Sequence, residues 1–579
     1  MRFLLSSPTR YPGSSWACRH CQQRCHRAVL ARYLGSFRHS NPTGEQETDG
    51  FEAAGIRPTV ASSLRAAFPN VKHPTLMQKK LISAMLEKND IVLQDYTGSG
   101  KSFAVMLALL SKRRVFVRDS EDDKEKSTKK GITTLLIVPH RDLAYQYLHW
   151  IHSIVTARDK LSLSTVPSIA KVLVRGSHSE SVYNDFSHLI VSPSSDLSPL
   201  RRDPPHILIG TPTAIMDVIL RAPEFLHLDT LSTVVVDEVD SLLEWVPSHT
   251  SLSTRRKIEK KFAKHPMVLR QVMDVILGKR EVDHSPSYRD DRVRQPQLVF
   301  LSATMRSRLR KALYDFEWLK SRRVVSLVNA PSKSLPAHAL NRVAIHHVLV
   351  VSEDGSIKNL PGAHSREIDE KILGIMSNQD TGFTENENDF LYEEDMMVVN
   401  EADADILNAP LAINPAMLEA VATTFALDVP QVALLVLPAT ASLRKVIFEL
   451  RQLGVNAHAL DLLGNAADFI HLRSQDGVVT DNPTLLVSTL STTRGIDFPE
   501  LSHVFLLGIP EGRSGDAYLH IAGRVGRFGR QGKVVTILEG QKEEGKKKKG
   551  KVMVKDEPKK MAVILKQMGI SPTRLEHFE

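Results

Sequence analysis

Between Asp90 and Thr304 the chain carries six short apolar runs, "DIVLQ", "TLLIVPH", "KVLVRG", "HILIGTP", "STVVVDE" and "QLVFLSAT", separated by helical or polar stretches. Aliphatic runs of strand length that do not alternate with polar residues belong to strands buried on both faces, the condition of a parallel sheet flanked by helices. Such a sheet exposes its chemistry at the carboxyl ends of its strands. A second group, "QVALLVLPAT", "AHALDL", "TLLVSTL", "HVFLLGIP" and "KVVTILEG", lies between Gln431 and Gly540. A chain of 579 residues exceeds what one hydrophobic core supports, so two tandem α/β domains are expected.

The first run continues as "DIVLQDYTGSGKSFAVMLALL", in which a strand meets a glycine loop and then a helix. This is the context of a phosphate-binding loop. Gly98 and Gly100 let the backbone N–H groups of Thr97 to Ser102 approach phosphate, and Ser99 adds a hydroxyl in the same loop. Lys101 reaches the outer phosphates and Ser102 can hold Mg²⁺, so ATP with Mg²⁺ is the expected cofactor. Asp95 stands where the pattern has glycine.

The fifth run explains itself against that loop. "TVVV" is the buried strand, and Asp237 and Glu238 emerge where it leaves the sheet. Asp237 is the expected Mg²⁺ partner, through water, and Glu238 is placed to orient or deprotonate the attacking water. Asp240 is read as a helix cap with a mixed role. The second group of runs has no glycine-lysine loop of its own, so both domains share one nucleotide site. It does contain "YLHIAGRVGRFGRQG", whose interleaved glycines disfavour helix by about 1 kcal/mol each and suit arginines offered to phosphate.

Net charge is +9, but residues 1–44 hold seven arginines and no Asp, Glu or Lys. The stretch 541–560 adds nine lysines against four acids, so the rest of the chain is close to neutral and any basic binding surface on it is local. The acid-free, Arg- and Ser-rich start is the composition of a mitochondrial transit peptide. All three cysteines (Cys18, Cys21, Cys25) lie there beside His20 and His26; their crowding, and the lack of a second ligand pair, argue against zinc. No apolar run reaches the roughly 20 residues that cross a bilayer, so no membrane insertion is expected.

Taken together, these motifs resemble a DEAD-box ATP-dependent RNA helicase of superfamily 2, from about Phe51 to about Gly540. "PTLMQ" with Gln78, preceded by Phe51, is similar to the adenine-reading Q motif, "DYTGSGKS" to motif I, and "VPHRDLA" to motif Ia with Arg141 as an RNA-phosphate contact. "GTPTA" resembles motif Ib and contributes Thr211, "DEVD" stands for the name-giving tetrapeptide, and Ser302, Ala303 and Thr304 match the "SAT" motif that couples nucleotide to RNA. "TTRGIDFPE" is similar to motif V, implying that Asp497 contacts the ribose and Arg494 lies on the RNA-coupling side. "HIAGRVGR" is similar to motif VI, whose arginine fingers map to Arg524 and Arg527, with His520 beside the carboxylate motif. Ala214 and Ile521 stand where the family has arginine.

The resemblance implies two RecA-like domains, each a parallel sheet flanked by helices, with disordered insertions. The expected boundaries are a transit peptide at 1–44, an ATP-binding helicase domain at 45–335, and a C-terminal helicase domain at 336–540 holding an acidic disordered insertion at 352–410. A basic tail covers 541–579. The charged stretch 118–131 reads as a surface loop, and "RRKIEKKFAKHPMVLRQVMDVIL" as helical. The implied activity is ATP hydrolysis driven by RNA, remodelling RNA or RNA–protein complexes in the mitochondrial matrix. The expected partners are mitochondrial ribosomal RNA and mitoribosomal assembly intermediates. An ATP-dependent RNA clamp or assembly scaffold with weak hydrolysis is the alternative; a translocating DNA helicase is disfavoured by the Gln78, DEVD and SAT elements together.

Overall fold

The computed structural model describes residues 50–118, 128–157, 165–175, 187–243, 252–278, 295–305, 307–319, 324–328, 344–364, 413–460, 483–493, 501–510, 515–526, 532–548 and 551–578. The expected transit peptide, residues 365–410 of the expected acidic insertion, and Arg494, Asp497 and Arg527 lie outside them.

In the first domain, strands β1 (Asp90–Gln94), β2 (Thr134–Ile137), β3 (Ala170–Leu173), β4 (Ile190–Val191), β5 (Ile207–Gly210), β6 (Thr233–Val236), β7 (Gln297–Ser302) and β8 (Val324–Val328) form one sheet. Their order is β8-β1-β7-β6-β2-β5-β3-β4. Every neighbouring pair is parallel. The six apolar runs are six of these strands; β4 and the edge strand β8 are too short or too polar-sided to stand out in sequence. Successive residues divide between two cores. Ile91, Leu93, Leu136, Ile209, Val235, Val299 and Leu301 pack on one face. Val92, Leu135, Ile137, Leu208, Val234, Val236, Leu298 and Phe300 pack on the other.

The first face is covered by α1 (Pro58–Ala67), α2 (Leu76–Leu86), α3 (Lys101–Ser111) and α4 (Arg141–Thr156). The second is covered by α5 (Pro212–Arg221), α7 (Val268–Ile276) and α8 (Ser307–Asp315). The insertion between "DEVD" and "SAT" is helical as expected: α6 (Leu252–Lys264) precedes α7, which buries Leu269, Val272 and Met273. The ends of the 118–131 stretch form a two-stranded ribbon, Phe116–Arg118 against Thr128–Lys130, rather than plain loop.

The second sheet contains β9 (Ala344–Val351), β10 (Ile357–Asn359), β11 (Val432–Leu437), β12 (Ala457–Ala459), β13 (Thr484–Thr489), β14 (Leu501–Leu507) and β15 (Gly532–Glu539) in the order β10-β9-β15-β14-β11-β13-β12. All pairs are parallel except the edge strand β10 on β9. Helices α9 (Pro415–Asp428) and α10 (Leu443–Gln452) cover one face. Helices α11 (Asp516–Ala522) and α12 (Glu557–Met568) cover the other.

Two expected boundaries are corrected. Residues 352–364, assigned to the acidic insertion, form a turn and β10, because Ile357 and Asn359 pair across β9 and the Asn359 amide bonds the carbonyls of Leu575 and Phe578. Residues 541–579, read as a basic tail, include the hairpin β16 (Lys542–Lys548) and β17 (Lys551–Lys555), followed by α12. Asp556 caps α12 through the Lys559 N–H, and Met561, Leu565, Ile570 and Leu575 enter the second-domain cores. Lysine density hid a helix that buries Met561, Ile564 and Leu565.

Candidate active site

Strand β1 delivers the chain into the glycine loop, and α3 begins immediately after Gly100, which caps it in the left-handed conformation at φ 76°. Gly98 is also left-handed, at φ 81°. A side chain at Gly100 would be strained there, and its Cβ would lie 2.3 Å from the Gln78 amide nitrogen. That contact is used: Gln78 Nε2 donates to the Gly100 carbonyl at 3.1 Å. The other end of the same amide, Oε1, accepts from Thr75 N–H at 2.8 Å, while Thr75 Oγ1 accepts from Gln78 N–H, a reciprocal cap that starts α2. Gln78 thus braces the loop through both ends of its amide.

Lys101 is buried and donates to the carbonyls of Asp95 at 2.9 Å and Tyr96 at 2.7 Å. Burial pushes its pKa down, while Glu238, Asp95 and Asp237 pull it up and Arg524 of the second domain pushes it down again. Asp95, in the glycine position, accepts from the Tyr96 N–H at 2.9 Å and so tightens the turn it occupies. Ser99 Oγ is buried with no hydrogen-bond partner among the described residues.

Asp237 follows β6 directly, its N–H bonded to the Ile137 carbonyl of β2. Its Oδ2 accepts from Ser102 Oγ at 2.7 Å and from Tyr147 Oη at 2.8 Å. Burial and the neighbouring Glu238 raise its pKa to about 6. Burial and Asp237 likewise hold the Tyr147 hydroxyl well above the usual phenol range. The Ser102 hydroxyl and Asp237 carboxylate, joined at the mouth of the glycine loop, make an oxygen-only donor pair that suits Mg²⁺. With nucleotide bound, such an ion would shield the phosphate charges. Glu238 adopts φ 51°, unusual for a side chain of its size, and its buried Oε2 accepts no hydrogen bond among the described residues. Left-handed backbone at this position turns the carboxylate away from the cap role that a helix N-terminus would give it.

Asp240 ties three motifs together. Its Oδ1 accepts from Ser302 Oγ at 2.7 Å and its Oδ2 from Thr304 Oγ1 at 2.6 Å. His520 Nε2 approaches Asp240 Oδ2 at 3.3 Å, and His520 Nδ1 lies 3.8 Å from Glu238 Oε2. Burial would raise the Asp240 pKa, but the hydrogen bonds from His520, Thr304 and Ser302 outweigh it and hold the carboxyl below its usual range. Of the mixed role expected for Asp240, the part seen is a bridge from β6 to β7 and to α11 of the second domain.

Helix α11 meets the loop directly. Thr97 Oγ1 donates to the Leu519 carbonyl at 3.4 Å, and a Cβ at Gly523 would stand 1.8 Å from Thr97 Oγ1. Arg524 is buried and donates through Nε to the His520 carbonyl at 2.9 Å. The opposite side of α11 is core: Tyr518, Ile521 and Ala522 are buried in the second domain, and Tyr518 Oη contacts His346 Nδ1 at 2.8 Å. Ile521, in a family arginine position, is thus a packing residue, and so is Ala214, fully buried on α5.

The other expected residues divide. Phe51, read as an adenine contact, is 2% exposed inside the first core, so packing covers the ring that would stack. Arg141 is exposed at the start of α4, its Nε 3.9 Å from Asp142 Oδ1, and Thr211 stands at the N-terminus of α5. Tyr147 and Gly523 were missed. The first carried a signal, a hydroxyl on the buried side of α4; the second requires knowing which residue it faces.

Residues 75–312 match the DEAD/DEAH box helicase family model, and residues 472–529 match the helicase conserved C-terminal domain model. The rice (Oryza sativa subsp. japonica) DEAD-box ATP-dependent RNA helicase 47A is 28% identical over 195 residues, covering 34% of this chain and 30% of the relative. The Arabidopsis thaliana DEAD-box ATP-dependent RNA helicase 47, mitochondrial, is 27% identical over 196 residues, 34% of this chain and 31% of the relative. The match thus spans about a third of each relative. The Saccharomyces cerevisiae Dbp5 structure bound to RNA and ADP BeF3 superposes with a TM-score of 0.52 at 17% identity, covering 91% of this chain and 96% of that one. Two parallel sheets flanked by helices, with the glycine loop on one and Arg524 just past α11 on the other, make a RecA-like pair. The chain belongs to the DEAD-box helicases.

Proposed function

We propose that this chain is an RNA-stimulated ATPase that remodels RNA or RNA–protein complexes. The observation that carries the reading is the junction at Asp240 and Glu238, where His520 from α11 of the second domain meets the first-domain carboxylates beside Lys101. Water attacks the γ-phosphorus, the bond to the bridging oxygen breaks, and ADP and phosphate leave. Glu238, whose Oε2 has no donor among the described residues, orients that water and takes its proton. Lys101 holds the outer phosphates. Arg524, and Arg527 by the family pattern, neutralise charge that develops in the transition state. Arg141, Thr211 and Arg494 contact RNA, Asp497 contacts the ribose, and Ser302 and Thr304 relay closure through Asp240.

The RNA is proposed to be mitochondrial ribosomal RNA in assembly intermediates within the matrix. The acid-free composition of residues 1–44 and the mitochondrial name of the Arabidopsis relative support that reading. The buried Ile521 keeps a clamp with weak hydrolysis as the second reading, since one arginine of the family pattern is spent on core packing. Glu238→Gln separates them. On the ATPase reading it retains nucleotide and RNA binding but lowers RNA-stimulated phosphate release by at least about 10²-fold. Unchanged release would favour the clamp. The trapped variant, crosslinked in cells, should carry mitochondrial ribosomal RNA; recovery of only cytosolic RNA would remove the pathway assignment.

A further inference from the structure

The insertion between "DEVD" and "SAT" divides into two helices of opposite character. Helix α7 buries Leu269, Val272 and Met273 and packs against α5, the helix that opens at Thr211. Helix α6, which precedes it, buries none of its described residues. It holds six basic residues, Arg255, Arg256, Lys257, Lys260, Lys261 and Lys264, against the single acid Glu259.

At 3.6 residues per turn, Arg256, Lys257, Lys260, Lys261 and Lys264 fall within an arc of about 140°, with Ile258 and Phe262 on the opposite side. The burial agrees, since these five cations are exposed while Ile258 and Phe262 are half-buried. Arg256, Lys260 and Lys264 form one row with a repeat of about 6 Å, and Lys257 and Lys261 stand in a second row beside it. Like charges four residues apart repel one another and work against the helix. None of the five pairs with an acid among the described residues. In sequence, the flanking stretches 244–251 and 279–294 hold five acids against five bases, so they bring no surplus of negative charge to the helix. Evenly spaced cations suit a polymer that carries one negative charge per unit, as a sugar–phosphate backbone does, whereas the acids of a folded protein surface have no such repeat.

We infer that α6 is an RNA-backbone contact of its own, with the row Arg256, Lys260 and Lys264 on phosphates, in addition to Arg141 and Thr211. The inference rests on the RNA reading made above. Fluorescence anisotropy of the full chain with a labelled oligouridylate and an ATP analogue tests it. Arg256→Gln, Lys260→Gln and Lys264→Gln are made together, since glutamine keeps the helix propensity of the positions it takes. This variant should bind the oligouridylate at least about tenfold more weakly, and the slope of log affinity against log salt should shrink by about 2, roughly 0.7 for each cation removed. A matched variant, Lys559→Gln with Lys560→Gln and Lys566→Gln, removes the same charge from exposed positions of α12 and should change neither quantity. Binding of the ATP analogue should persist in both. Equal weakening by the two variants, or no weakening by the first while the unaltered chain binds, would overturn the inference and leave the RNA reading standing. An unaltered chain that fails to bind the oligouridylate would remove the RNA reading, and this inference with it.

Discussion

In the first domain Lys101, Asp237 and Glu238 lie together at the carboxyl ends of β1 and β6, each 6% exposed or less. In the second domain the deeply buried ionisable groups include His346 on β9 and His503 on β14, 3% and 4% exposed, and burial drives both to about 4. Charge that must be desolvated survives in the first sheet because opposite charges share the space: lysine, carboxylates and a donated tyrosine hydroxyl. The second sheet meets the same dielectric by keeping its imidazoles neutral, with His346 against Tyr518 Oη and His503 Nδ1 against Ser502 Oγ. One domain therefore holds reactive polarity and the other a neutral scaffold that seats α11 against it.

The contrast breaks most visibly in acid. A histidine whose folded pKa is about 4, against 6.5 when unfolded, binds its proton more readily in the unfolded chain. Its contribution is fully present above pH 6.5 and is lost as pH falls toward 4, by roughly 3 kcal/mol for each group. Urea melts at pH 7 and pH 4 should show this loss in the second domain, and His346→Phe with His503→Leu should shrink it. An unchanged acid loss in that double variant would place the neutral groups elsewhere. Asp237 runs the other way: with its folded pKa raised to about 6, it gains a proton as pH falls and stabilises the first domain there.

A smaller effect is expected where the two domains touch. Gly523→Ala places a methyl on Thr97 Oγ1 and should lower RNA-stimulated phosphate release about 10²-fold, equivalent to roughly 2.7 kcal/mol, without weakening nucleotide binding to the first domain. Equal losses in binding and turnover would mean that the loop itself had been distorted. Smallest is Tyr147→Phe, which removes one donor from Asp237 Oδ2 and should cost about 1.5 kcal/mol of stability in urea melts of the nucleotide-free protein. It should also move the acid limb of the phosphate-release profile upward, because that donor lowers the Asp237 pKa.

Strands that are apolar on both faces announced themselves, and so did the glycine loop and the carboxylates after "TVVV", since local pattern alone places them. Positions defined by a partner far along the chain were not legible. Phe51 could be assigned to adenine or to core only by seeing what covers it; Gly523 has no meaning without Thr97; the part of Asp240 beyond capping has no content until Thr304 and His520 arrive. The second-domain boundaries failed for a compositional reason, because lysines at 542–560 outnumber the apolar residues that fasten the following helix.

That fastening bears on the order in which the molecule assembles. The first sheet is complete once β8 has been made at Val328, whereas β9 and β10 are bonded to residues 573–578: the Thr573 N–H donates to the His346 carbonyl, and Leu575 exchanges hydrogen bonds with Asn359. At a synthesis rate of about 5–20 residues per second, some 10–50 s separate the two events. For that interval a folded nucleotide-binding half precedes an unsealed second half whose first strand waits for β15 at Gly532–Glu539 and for the segment 573–578. The second domain therefore closes late relative to the first, on contacts that join its first two strands to the segment after α12.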